Sequence, residues 1–122
     1  MKTDRPVNLQ LFPQPFPALV SISHRITGVV LFVGVAFALY ALDLAMSSPE
    51  GFAQAQAMLQ QPFPAFVLFG LLFGLMYHFV AGVKHLLLDF HIGDTYPAAR
   101  ISAVTIVVVS ILLTAALGVL IW

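Results

Sequence analysis

The stretch "PAFVLFGLLFGLMYHFVAGV", residues 64–83, runs for twenty residues without a charge. A bilayer core is about 30 Å thick and takes roughly 20 helical residues to cross, so this segment has the length and composition of a membrane span. Two more such runs flank it. Upstream, Ile26 to Ala45 carries one charge, Asp43, near its end; downstream, "ISAVTIVVVSILLTAALGVLIW" (101–122) carries none. Strands are a poor reading, because the runs are too long and do not alternate with period two. The expected fold is an all-α integral membrane protein with three transmembrane helices, at about 21–46, 64–90 and 99–122. These form a single membrane-anchor domain over 1–122, with a short surface helix at about 49–60.

Composition agrees with that reading. Of 122 residues, 61% are hydrophobic and 8% charged, whereas a soluble domain is nearer a quarter charged. The net charge is zero, which removes nucleic acid from the plausible partners. There is no cysteine, so disulfides, thiolate metal sites and cysteine-ligated iron–sulfur clusters are excluded. The opening "MKTDRPVNLQLFPQPFP" lacks the apolar core and cleavage site of a signal peptide, and its acid and prolines argue against a presequence. The mature chain is therefore expected to begin close to Met1.

Basic residues orient the spans. All five, Lys2, Arg5, Arg25, Lys84 and Arg100, precede the first span or lie between the second and third. The positive-inside rule puts the N-terminus and the 84–100 connection in the cytoplasm and the C-terminus on the periplasmic side. The connections are short. "FPQPFP" (12–17) reads as extended until a helix starts near Pro17 or Ala18. In "SSPEGFAQAQAMLQQPFP", Ser48 can cap a surface helix with Pro49 at its first position, and Phe52, Ala55 and Leu59 would face the membrane. "HIGDTYPAAR" is a turn in which Gly93 can end the second long helix and Pro97 start the third. Ser102, Thr105, Ser110 and Thr114 on that third helix read as packing or back-bonding residues.

Two polar clusters interrupt the apolar text. Gly74, His78, Gly82, His85 and Asp89 step by four, four, three and four, close to one helical stripe. Glycines one turn above and below His78 clear room for a flat ligand such as haem. Equally, they allow a second helix to approach, with His78 hydrogen-bonding across the contact. His78 and His85 are about 10 Å apart along the axis, too far to bind one iron from opposite sides. His24, near the cytoplasmic start of its helix, is expected at a different depth from His78. A second axial ligand would then come from another chain. In "SISHRITG", Ser21, His24, Arg25 and Gly28 are spaced i, i+3, i+4 and i+7. Arg25 can snorkel to lipid phosphate, or the group can receive haem propionates or hydrogen-bond a quinone carbonyl. Lys84 reads as a topology anchor, His85 and Asp89 as a possible pair, and His91 as a solvated turn residue.

Together, "RPVNLQL" with "SISHRITG" and "HFVAGVKHLLLDF" resemble the two signatures of the larger cytochrome b membrane anchors of bacterial succinate dehydrogenase, respiratory complex II. The order, the spacing and the three-span layout agree over essentially the whole chain. The resemblance implies one haem b, with His78 as axial ligand of its iron. The opposite ligand would come from a second small membrane-anchor subunit. It places Ser21 and Arg25 in a ubiquinone pocket, His24 and Arg25 near the haem propionates and His85 near the haem edge. Lys84, where relatives often carry arginine, keeps the charge but lacks the bidentate fork.

The same resemblance implies a multi-pass subunit of the bacterial inner membrane. It would pass electrons from an iron–sulfur subunit to quinone and contribute the quinone site of the enzyme. This chain does not itself oxidise succinate, having neither a dinucleotide fingerprint nor cysteines. FAD and iron–sulfur clusters belong to flavoprotein and iron–sulfur partners, while lipid surrounds the spans. Two rivals remain: a haem-free structural anchor of a related fumarate reductase, and a small transporter using a histidine relay.

Overall fold

The computed structural model describes residues 16–122. Within them the chain forms four helices and no strand: α1 (Phe16–Ser47), α2 (Pro49–Leu59), α3 (Pro62–Asp89) and α4 (Tyr96–Ile121). Lys2, Arg5 and most of the extended "FPQPFP" reading fall outside the described residues. Helix α1 is continuous from Phe16 to Ser47 and includes Pro17. Three of the four helices, α1, α3 and α4, are long and apolar enough to cross a membrane. Their outer surfaces are apolar too: Phe32 and Val119 are each 83% exposed. A water-facing bundle would put polar groups there, so these surfaces fit hydrocarbon.

Helix α3 runs along both α1 and α4 and forms the middle of the bundle. The core is small, made of Val20, Tyr77, Ala81, Ala103 and Ile106. Small side chains bring the axes together: Ala81 and Ala103 are 1% and 0% exposed. At Gly34 an added Cβ would run into the Leu71 side chain, which would have to turn aside, so α1 and α3 approach closely there. Helix α4 buries Ala103, Ile106, Ser110, Thr114 and Gly118 along one stripe. Its buried hydroxyls are already satisfied. Ser110 donates to the Ile106 carbonyl at 2.6 Å and Thr114 to the Ser110 carbonyl at 2.7 Å, the back-bonding expected of them. Ser102 and Thr105 do the same to Ala99 and Ile101.

Helix α2 begins as its sequence indicates. Ser48 Oγ accepts the Gly51 N–H at 2.9 Å, with Pro49 in the first turn. Its apolar side is only partly a membrane face. Ala55 is 4% exposed, and Phe52, Ala55 and Leu59 line a groove shared with Phe37 and Ala41 of α1 and Leu68 of α3. The short connection at Ser48 folds α2 back onto α1, and Gly51, whose Cβ would meet Ser47 and the Leu44 carbonyl, permits that contact.

The turn after α3 also differs from expectation. Helix α3 ends in a Schellman arrangement, with His91 N–H on the Leu88 carbonyl (2.9 Å) and Ile92 N–H on the Leu87 carbonyl (3.0 Å). The left-handed residue is therefore His91, at φ 58°, and Gly93 takes a second positive φ of 76° two residues on. The His91 side chain is solvated and lies 3.6 Å from Asp94. It is the ion pair found among the described residues; none joins His85 to Asp89.

Candidate functional site

The start of α1 and the end of α3 run antiparallel side by side, and their register is pinned by a buried phenol. Tyr77 is 6% exposed, and its hydroxyl donates to the Val20 carbonyl at 3.1 Å. One turn further along α1, this register sets His24 against His78. Their ring centroids are 4.1 Å apart and the planes are 14° from parallel. His85 approaches the same imidazole, with centroids at 5.0 Å and planes tilted by 49°. Three of the four histidines thus form one cluster at the α1–α3 seam.

This arrangement corrects the depth expected for His24. Counting from the start of the apolar run placed it near the surface, well away from His78. Helix α1 is already formed at Phe16, the first described residue, and the register of α1 on α3, held by Tyr77 on the Val20 carbonyl, decides the depth of His24. It reaches the level of His78. It does not become a partner ligand by doing so. Imidazole lone pairs lie in the ring plane, and two rings stacked face to face cannot aim them at one iron from opposite sides. Among the described residues no group of three or more metal-ligating side chains converges.

The surroundings of His78 are specific. Its Nδ1 lies 3.0 Å from the backbone carbonyl of His24 and 3.1 Å from Thr27 Oγ1. A carbonyl oxygen can only accept, so Nδ1 carries the proton and donates. Thr27 in turn donates to the His24 carbonyl at 2.8 Å. With Nδ1 protonated, a neutral His78 presents its lone pair at Nε2. That is the tautomer a metal-ligating histidine adopts when a backbone carbonyl orients it. The residues present therefore fit an axial imidazole. Packing reinforces the seat: a Cβ at Gly28 would lie 3.1 Å from His78 Cε1, closer than ordinary contact.

The glycines of α3 serve the seam. Gly82 faces His24, whose Nε2 would be 3.6 Å from an added Cβ, and Gly74 is buried toward Leu31 at 3.9 Å. Close helix approach accounts for both, and no flat slot is needed to explain them. His24 Nε2 is buried and has no hydrogen-bond partner among the described residues. A buried polar nitrogen in that condition is unusual.

The first cluster is divided by the fold. His24 and Gly28 turn toward α3, Ser21 is half-buried, and Arg25 stands on the exposed side of α1. Lys84 is half-buried, while Asp43 and Asp89 are exposed. Two residues at the seam were not singled out from the sequence, Thr27 and Tyr77. Thr27 lies i+3 from His24, a spacing that marks it as a neighbour on the same helix face. Tyr77 offers no signal beyond preceding His78.

Three helices long and apolar enough to cross a membrane, with imidazoles clustered where two of them meet, define a polytopic helical membrane protein. The chain belongs to the family of succinate dehydrogenase/fumarate reductase transmembrane subunits, which matches residues 1–117. It is 38% identical, over the whole of both chains, to the succinate dehydrogenase cytochrome b556 subunit of Coxiella burnetii. It is 32% identical to the protein of that name from Paracoccus denitrificans, covering 90% of this chain and 86% of the relative. It is 31% identical to the mitochondrial cytochrome b560 subunit of Sus scrofa, over 90% and 68% respectively.

Proposed function

We propose that this chain is the cytochrome b membrane anchor of a succinate:quinone oxidoreductase, with His78 Nε2 as one axial ligand of a haem b. The observation that carries the reading is the pair of contacts on His78 Nδ1, from the His24 carbonyl and Thr27, because they leave Nε2 as the lone-pair nitrogen. The relatives' names support the succinate enzyme over the fumarate one, although the family includes both. Bound haem would supply a one-electron carrier at the seam. A second ligand to that haem would come from a second small anchor subunit, since the ring of His24 stacks on His78 and does not aim a nitrogen at the same point.

The other polar residues take roles around that ligand. Buried His24 Nε2 has no partner among the described residues, and a haem propionate is an acceptor of the right kind if that nitrogen is protonated. His85 sits at the same cluster, toward the haem edge. Exposed Arg25 and half-buried Ser21 form the quinone-reducing site with an iron–sulfur subunit. The guanidinium favours the partly anionic reduced oxygen, and the hydroxyl hydrogen-bonds the carbonyl. The anchor lies in the bacterial inner membrane with its N-terminus cytoplasmic, where the iron–sulfur subunit docks and the flavoprotein follows. A histidine relay is disfavoured, because His24 and His78 stack face to face where a proton chain needs nitrogens aimed at one another.

The test is a dithionite-reduced minus oxidised spectrum of the gently purified complex, for wild type and His78→Ala. A b-type signal accompanied by flavoprotein, iron–sulfur and second-anchor bands in the wild type, lost in the variant, is the expected result. Full haem stoichiometry and an unchanged spectrum in His78→Ala would refute the ligand assignment. An assembled wild-type complex without haem would leave a structural anchor.

A further inference from the structure

We infer that Thr27 is a positioning residue for the haem ligand: its hydroxyl, with the His24 carbonyl, fixes the tautomer of His78 and sets how strongly Nε2 donates. The inference rests on the reading of His78 as a ligand, and it gives the Thr27 hydroxyl a tuning role beyond the contact that supports that reading. Two acceptors meet the His78 Nδ1–H, Thr27 Oγ1 at 3.1 Å and the His24 carbonyl at 3.0 Å. They are not equivalent. The carbonyl already accepts the Thr27 hydroxyl at 2.8 Å, and as an interior carbonyl of α1 it is also the acceptor for the amide four residues on. With two lone pairs and three donors, it is over-subscribed. Thr27 Oγ1 donates its single proton to that carbonyl and so keeps its own lone pairs for the imidazole.

The hydroxyl thereby relays the pull of the carbonyl to the ring. A hydrogen bond accepted from Nδ1–H increases electron density at Nε2 and makes it a better donor to iron. A stronger donor favours ferric over ferrous haem and lowers the reduction potential, so removing the hydroxyl should raise it. Neighbouring geometry keeps the ring in reach of Thr27. Gly28 is packed against His78 Cε1, where an added Cβ would be only 3.1 Å away, and the His24 ring covers one face at 4.1 Å. Stacking and packing hold the ring's place, the acceptor-only His24 carbonyl sets its tautomer, and the Thr27 hydroxyl, as second acceptor, holds its rotation.

The experiment compares Thr27→Val, Thr27→Ala and Thr27→Ser in the assembled complex, with His78→Ala beside them. Haem content, the position of the reduced α-band, the low-temperature electron paramagnetic resonance of the oxidised haem and its midpoint potential are read, none of them an activity. Thr27→Val and Thr27→Ala should raise the potential, move the resonance of the oxidised haem and weaken haem retention by roughly 10-fold or more. Thr27→Ser should keep native values. If Thr27→Val fails to assemble, the smaller Thr27→Ala carries the comparison. If neither assembles, Thr27→Ser decides, since a shifted potential there would overturn the inference. Native potential and spectra in the hydroxyl-free variants would overturn it as well. Haem retained in His78→Ala would instead remove the ligand reading itself, an outcome distinguishable from failure at Thr27 alone.

Discussion

Arg25 on the exposed side of α1 and Tyr77 in the α1–α3 seam show how differently two polar residues of one bundle behave. Tyr77 is buried, and its hydroxyl is spent on the Val20 carbonyl at 3.1 Å, so its work is structural. Tyr77→Phe should cost about 1 kcal/mol. That should appear as a lower thermal midpoint of the purified complex with an unaltered haem spectrum; a spectral shift without loss of stability would place Tyr77 at the haem instead. Arg25 is exposed on α1, and no carboxylate pairs with it among the described residues. On the proposed role, Arg25→Ala should leave the complex assembled and reduce succinate–quinone turnover at least 10-fold, since a charged hydrogen bond is worth about 1.5–3 kcal/mol. Turnover at the wild-type level in an intact complex would remove Arg25 from the quinone site. The spacing of the serine, histidine and arginine of "SISHRITG" made one helix face legible, but not that α3 takes His24 and leaves Arg25 exposed. The contact of Thr27 was not legible either, because a threonine one turn from a histidine is common and only the approach of α3 gives its hydroxyl a second partner.

Among the elements, α2 depends most on local chemistry. Its N-terminus is closed by the Ser48 Oγ bond to Gly51 N–H, and replacing a capping serine with alanine typically costs about 1 kcal/mol. Ser48→Ala should therefore fray α2, raising amide hydrogen exchange over residues 49–53 while α1 and α3 remain protected. Equal protection in the variant would mean that packing against α1, through Gly51 and Ala55, holds α2 without its cap. The helix ends were only partly legible. Ser48 and Pro49 carry a strong local signature, but the end of α3 does not. Glycine is the usual left-handed residue, and Gly93 is present, yet the hydrogen bonds to Leu87 and Leu88 put His91 in that position. An exposed histidine accepts the conformation for about 1–2 kcal/mol, a cost the two closing bonds can offset.

For the whole molecule, the distribution of charge implies an orientation that helix geometry alone does not. The 84–100 connection should be cytoplasmic and α2 periplasmic. The chain has no cysteine of its own, which makes the test clean. A membrane-impermeant thiol reagent should label Ala53→Cys in intact spheroplasts and Asp94→Cys only in inverted vesicles. Both residues are exposed, and the reverse pattern would invert the anchor and separate Arg25 from any cytoplasmic iron–sulfur partner.

The sequence alone dictated the solvent of the fold and the number of crossings. An apolar run of the right length has to be helical in hydrocarbon, because every backbone polar group must be satisfied within the segment, and that requirement is local. That His78 and His24 were worth attention was legible for the same reason, since polar residues in such runs are costly and therefore informative. The depth match of His24 with His78, the enclosure of Gly82 by an imidazole and the partnership of Thr27 with Nδ1 were decided only when α1 and α3 packed. Those features depend on the register between two helices, which the Tyr77–Val20 bond and the small residues at Gly34 and Ala81 set across more than fifty residues of chain. No spacing within either helix contains that register.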